Sequence, residues 1–171
     1  MKYLLKPEEY KLPNPRIDGW KKLREIKART VDIWVLSLEV FDYFLKHDEL
    51  PKEFLEELED KAGGIINDSP SHTVIVRRAF VVPGLEYPPG PRFLGIATTE
   101  AAAAAVRELY QFAVAHKYNE SKDSQISGWL EFPSITVDPK NTLDFSSIPY
   151  GGYAVCQNSI VEIYAVFGIN E

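Results

Sequence analysis

Apolar positions recur along this chain with two periods, and where the period changes the chain is expected to change element. After Asp18 the residues Trp20, Leu23 and Ile26 recur at helical spacing, so a helix capped by Asp18 is expected to begin near Gly19. The first 18 residues place Pro7, Pro13 and Pro15 among charges and read as an extended arm. Val31 to Leu36 is a short apolar strand. Ser37 should then cap a helix whose apolar face is Val40, Phe41, Phe44 and Leu45. A further helix is expected from Pro51 to about Lys61, with Phe54, Leu55 and Leu58 on one side and Gly63-Gly64 as its stop.

His72 to Val82 is β-branched and apolar apart from Arg77 and Arg78 in its middle, and is expected to be a strand. Pro83 to Pro91 carries four prolines and two glycines and predicts a rigid irregular loop. Beyond Leu94-Gly95-Ile96, the cap Thr98-Thr99-Glu100 leads five alanines into a helix ending near His116, with Val106, Leu109, Tyr110 and Ala113 inward. From about residue 127 the pattern becomes β-rich. Trp129 to Val137 reads as a strand, and Tyr153–Cys156 with Ile160–Phe167 reads as a hairpin turning at Gln157-Asn158-Ser159. The expected fold is mixed α/β (α+β), with one sheet containing the strands at Ile33, Val76, Trp129 and Val161.

Composition narrows the function classes. Hydrophobic residues make up 45% of 171, enough apolar surface for a core. The net charge of −6 would repel a phosphate backbone, so nucleic acid is not an expected partner. The single cysteine, Cys156, excludes an intrachain disulfide framework and reads as a small strand residue. Met1 to Pro7 lacks the apolar stretch of a signal peptide, and no apolar run approaches the roughly 20 residues of a membrane span. A cytoplasmic protein with no membrane partner is therefore expected. His47, His72 and His116 show no metal-ligand spacing, and no catalytic triad can be assembled, so the catalytic residues are unassigned.

The chemistry-bearing candidates are basic. Two arginines inside an apolar strand are costly unless partnered, and a guanidinium fork matches phosphate oxygens. Strand alternation lets only one of them face a given cleft. Pairing of both with carboxylates at a sheet edge remains the plain alternative. The proline loop offers a pre-ordered backbone with Arg92 at its end, though an ordinary structural turn is the commoner explanation.

In order and spacing these motifs resemble the N-terminal ATP-binding, ATP-grasp-like region of the phosphoenolpyruvate synthase and pyruvate phosphate dikinase family. Gly19-Trp20-Lys21-Lys22 stands where the family has a Gly-Gly-Lys helix start, and Ile33 to Leu45 where it has a strand and helix. Val76-Arg77-Arg78-Ala79 resembles its Val-Arg-Ser-Ser strand and Phe93-Leu94-Gly95 its Phe-Ala-Gly element. Ile163 to Glu171 is similar to its Glu-Ala-Val-Trp-Gly-Leu-Gly-Glu. The resemblance runs from about Asp18 to Glu171 and implies residues 19–171 as one nucleotide-binding domain. It implies ATP and Mg²⁺ as cofactors, Arg77 as the first phosphate contact, then Lys21 or Lys22, with Arg92 on the loop. It also implies a separate phosphohistidine-type domain as acceptor. Arg78-Ala79 replaces the family's Ser-Ser, and its second phosphate arginine has no clear match, so the module is expected to be inactive alone. The alternative is a non-catalytic interaction or nucleotide-sensing protein that keeps the fold; a carboxylate–amine ligase is a third reading. The chain ends on a strand, which suggests a fragment whose exposed edge at Ile160–Phe167 promotes homo-oligomers.

Overall fold

In the computed structural model, the described residues are 2–27, 32–64, 66, 72–132, 151–157 and 160–166, the last two segments by backbone alone. The chain divides into two units, Met1–Ile135 and Thr136–Glu171. Five strands build the sheet of the first unit: β1 (Leu4–Leu5), β2 (Asp32–Leu36), β3 (Val74–Arg78), β4 (Arg92–Ile96) and β5 (Gly128–Phe132). Their order is β1-β2-β5-β3-β4, and every neighbouring pair is antiparallel. Among the described residues four α-helices accompany it: α1 (Pro15–Glu25), α2 (Leu38–His47), α3 (Lys52–Leu58) and α4 (Thr99–Ala115). The mixed α/β class expected from the sequence is present.

The pleat sends alternate side chains to opposite faces, and each face is covered differently. Leu36, Val74, Val76, Leu130 and Phe132 join Val40, Phe41 and Phe44 of α2, Phe54 and Leu58 of α3, and the inner stripe of α4 in the main core. On α4 that stripe includes Val106, Leu109, Tyr110 and Ala113, as the periodicity requires. Thr98 caps α4, its hydroxyl accepting from the Ala101 N–H. The opposite face is smaller. Ile33, Val35, Ala79 and Trp129 pack there against Tyr10 and Ile17, with Leu5 and Trp20 alongside.

Four expectations need correction. Where it is described, the expected arm over residues 1–18 joins the fold: Leu4 and Leu5 pair with Leu36 and Val35, and Pro7–Glu9 is a 3₁₀ turn. Helix α1 starts at Pro15, not near Gly19, and its cap is Asn14, whose Oδ1 accepts from the Arg16 and Ile17 N–H groups. Proline suits the first helical position because the missing N–H would be unpaired there anyway. The earlier start shifts the buried phase of the helix. Ile17 is fully buried, while Leu23 and Ile26 are 41% and 73% exposed. Helix α3 does not stop at the Gly63-Gly64 pair through a left-handed cap. It passes into a π-turn over Glu59–Gly63, and Gly64 keeps helical backbone angles.

The fourth concerns the β-rich end. Strand β5, expected to open it, is the central strand of the first unit's sheet. The strand at Val161 is not in that sheet. It belongs to β7 (Ile160–Val166), which pairs with β6 (Gly151–Gln157) as a two-stranded sheet within the second unit. Residues 133–137 of the Trp129–Val137 strand lie outside the described residues, as do the turn Asn158-Ser159 and the end from Phe167 to Glu171. Among the described residues no helix is long and apolar enough to cross a membrane.

Candidate functional site

Antiparallel pairing places Arg77 of β3 between two partners, with Arg92 of β4 directly opposite on one side and Trp129 of β5 on the other. Residues directly opposite share a face, so Arg77, Arg92 and Trp129 form one row. They lie on the face covered by α1. Glu131, two residues beyond Trp129, shares that face, and its carboxylate is 3.3 Å from an Arg77 guanidinium nitrogen. The Trp129 indole N–H also points to the same oxygen, at 3.4 Å.

Two further arginines lie near this row, Arg16 on the same face and Arg78 on the other side of the pleat. Arg16 enters from the first turn of α1. Its guanidinium is held below the usual arginine range by burial and then by the positive charge of Arg77. Arg78 leaves β3 on the opposite side of the pleat and turns to the proline loop. It donates from Nε to the Pro88 carbonyl at 2.9 Å and from a terminal nitrogen to the Gly90 carbonyl at 2.8 Å. Burial lowers its pKa too, followed by the charges of Arg16, Arg77 and, more weakly, Arg92. A guanidinium nonetheless stays protonated, so these four residues concentrate positive charge at one end of the sheet.

The loop between β3 and β4 is fixed at both ends. Val82 and Leu85 form a bridge closed by the Leu85 N–H on the Val82 carbonyl at 3.0 Å, with Gly84 at φ +82° inside the turn. Gly90 presses against Arg78 and Phe80; a Cβ there would lie 2.6 Å from the Arg78 Cδ. Between these anchors Tyr87 is 73% exposed.

A second basic cluster surrounds Trp34, with the ammonium groups of Lys6, Lys61 and Lys2 at 3.8, 4.5 and 5.9 Å from its ring. That cluster is neutralised in place. Lys2 pairs with Glu9, Lys61 with Glu57, and Lys6 lies 4.0 Å from Asp32. The arginine cluster differs: among the described residues Glu131 is the one carboxylate paired with any of its four members. Four cations against one anion is an arrangement that favours a bound anion.

Of the residues singled out by sequence, Arg77 and Arg92 are brought together and Lys21 and Lys22 are not. Lys21 pairs with Asp18 at 2.8 Å, and among the described residues neither lysine bonds to the arginine cluster. Arg92 sits at the start of β4 rather than on the loop itself. Sequence reasoning missed Arg16, which the Asn14-Pro15 helix start would have placed in a first turn. His47 lies against Tyr43 and His116 against Phe112 at helix ends, and a His72 ring nitrogen is 3.1 Å from the Ile66 carbonyl oxygen.

Comparison with protein-family models, curated proteins and solved structures gives no match to this chain.

Proposed function

We propose that the first unit binds the phosphates of ATP through Arg77, Arg92 and Arg16, as the nucleotide-binding module of a phosphoenolpyruvate synthase-like phosphotransferase. In this reading the fold is the N-terminal part of an ATP-grasp-like domain working in the cytoplasm, and the phosphoryl acceptor is a separate phosphohistidine-type domain. The observation that carries it is the excess of guanidinium over carboxylate on one sheet face, where planar forks can engage several phosphate oxygens at once. Glu131 holds Arg77 in the absence of a ligand, and an incoming phosphate would exchange with that carboxylate.

Among the described residues no three histidine, cysteine or carboxylate side chains gather to hold a metal ion. These residues offer no dedicated protein cage for Mg²⁺, so a metal ion would be held chiefly by the polyphosphate itself. The arginines can bind and orient a polyphosphate; neutralising charge during transfer requires further groups. The module is accordingly a binding unit, inactive alone.

Calorimetric titration with ATP tests the reading. Wild type should bind, and Arg77→Ala should weaken binding at least about ten-fold, the scale of one charge-assisted hydrogen bond lost. Equal affinity of the two proteins would remove Arg77 from the site. Absence of binding by wild type would favour a partner-binding protein that keeps the fold.

A further inference from the structure

Tyr87 stands in the β3–β4 loop beside the arginines and takes no part in holding their phosphates. A large aromatic side chain that is 73% exposed ordinarily needs no explanation when it sits on a mobile surface. Tyr87 sits instead on a backbone clamped from both directions. On one side is the Val82–Leu85 bridge, and on the other the Arg78 guanidinium grips the carbonyls of Pro88 and Gly90. Pro88, Pro89 and Pro91 remove further backbone freedom. The residue immediately before the first gripped carbonyl is Tyr87 itself. Tyr87 lies in the loop that joins the end of β3, carrying Arg77, to the start of β4, carrying Arg92. It is therefore at the end of the sheet where those two arginines pair, with Arg16 near enough to feel both Arg77 and the phenol. A rigid ring with two side-chain torsions loses little entropy when another ring stacks on it.

We infer that Tyr87 is a stacking platform for the planar ring of a phosphorylated ligand, so that the arginine row takes nucleoside polyphosphates in preference to inorganic ones. The inference rests on the phosphate reading of the arginines and adds to it a determinant of specificity. Arg78, which fixes the loop through the Pro88 and Gly90 carbonyls, also feels the charges of Arg16 and Arg77.

The test is a calorimetric comparison of ATP with inorganic tripolyphosphate, using the full chain as wild type, Tyr87→Ala, Tyr87→Phe and Arg77→Ala. Wild type should bind ATP about ten-fold more tightly than tripolyphosphate, the order expected for one base–aromatic stack. Tyr87→Ala should equalise the two ligands while leaving tripolyphosphate affinity unchanged, and Tyr87→Phe should keep the preference. Arg77→Ala should weaken both ligands together. Equal binding of ATP and tripolyphosphate by wild type, or an unchanged preference in Tyr87→Ala, overturns the role of Tyr87 and leaves the arginine site standing. Failure of wild type to bind either ligand overturns the arginine reading and this inference with it.

Discussion

Arg77 and Arg92 face each other across the β3–β4 pair with their Cα atoms in register. Like charges directly opposite in an antiparallel pair destabilise it, so the fold bears a cost at the place where an anion would be useful. Replacing Arg92 by threonine removes the repulsion and supplies a residue suited to strands. Arg92→Thr should gain about 0.5 kcal/mol in chloride buffer. Tripolyphosphate should raise the melting temperature of wild type and have a much smaller effect on the variant, because a ligand stabilises only the state that binds it. Thermal denaturation in the two buffers checks both. A less stable variant would show that Arg92 makes favourable contacts instead.

Gly19 and Gly90 predict opposite outcomes for the same change. A Cβ on Gly19 meets nothing within 4 Å inside α1, so Gly19→Ala should stabilise by about 0.5–1 kcal/mol through helix propensity. A Cβ on Gly90 would lie 2.6 Å from the Arg78 Cδ and 3.0 Å from a Phe80 ring carbon. Arg78 is tethered by its two hydrogen bonds and Phe80 is buried, so neither moves away without loss. Gly90→Ala should destabilise by about 1–3 kcal/mol and expose the loop to proteolysis. Urea denaturation with limited proteolysis reads both effects, and equal stabilities for the two variants would contradict the packing at Gly90.

Tyr110 is fully buried with its ring against Phe41 and Phe44, and among the described residues its hydroxyl has no hydrogen-bond partner. Burial pushes its pKa far up, with smaller contributions from Tyr10 and Asp42. A buried hydroxyl without a partner forfeits its hydration, so Tyr110→Phe should keep the aromatic packing and gain about 1 kcal/mol. Differential scanning calorimetry would show the rise. A loss of that size would mean that a bound water satisfies the hydroxyl.

The sequence made the helices and strands legible and left their meeting points hidden. The α4 stripe follows from 3.6-residue periodicity, because Val106, Leu109, Tyr110 and Ala113 have no other way to be buried together. Helix α1 was misplaced because Asn14-Pro15 and Asp18-Gly19 are both acceptable starts, and only packing of Ile17 decides between them. Asp18 still contributes: its carboxylate accepts from the Asn14 N–H at 3.0 Å. Three of the four clustered arginines were legible, since Arg77, Arg78 and Arg92 stand out among apolar and proline residues; Arg16 was not. Nor was the juxtaposition of Arg77 and Arg92, because register depends on the bulge near Gly95, which adopts φ +65°. The separation of β7 from the main sheet was equally hidden, since an apolar strand does not name its partner.

We propose that the β6–β7 sheet mediates self-association. Two strands alone are marginal in water, and among the described residues of this unit no third strand joins them. Open edges of that kind pair readily with a second copy. Val161, opposite Cys156 in the register, is the position to charge. Light scattering across a concentration series should show a rising mass for wild type and a smaller one for Val161→Lys. A monomer mass at every concentration would sink the proposal.

Tyr10 is buried on the smaller sheet face, and its hydroxyl donates to Gln125 Oε1 at 3.1 Å. Burial raises its pKa from 10.0 to about 12, partly offset by hydrogen bonding with Ser127 and Asn14. A proton held more tightly in the folded state stabilises fully below the unfolded value. That contribution is then lost as pH climbs from about 10 towards 12. At pH 8, Tyr10→Phe should be less stable than wild type by about 1 kcal/mol, the worth of the lost hydrogen bond. At pH 11 the folded phenol stays mostly protonated while the unfolded one is mostly ionised, which removes about 1.4 kcal/mol from wild type and nothing from the variant. The two stabilities should therefore meet or cross between pH 10 and 11. Tyr110 is present in both proteins, so its own alkaline lability cancels in the comparison. Urea denaturation of the pair at pH 8, 9, 10 and 11 measures the gap directly, and a gap that stays constant through pH 11 would show that Tyr10 titrates normally in the folded protein.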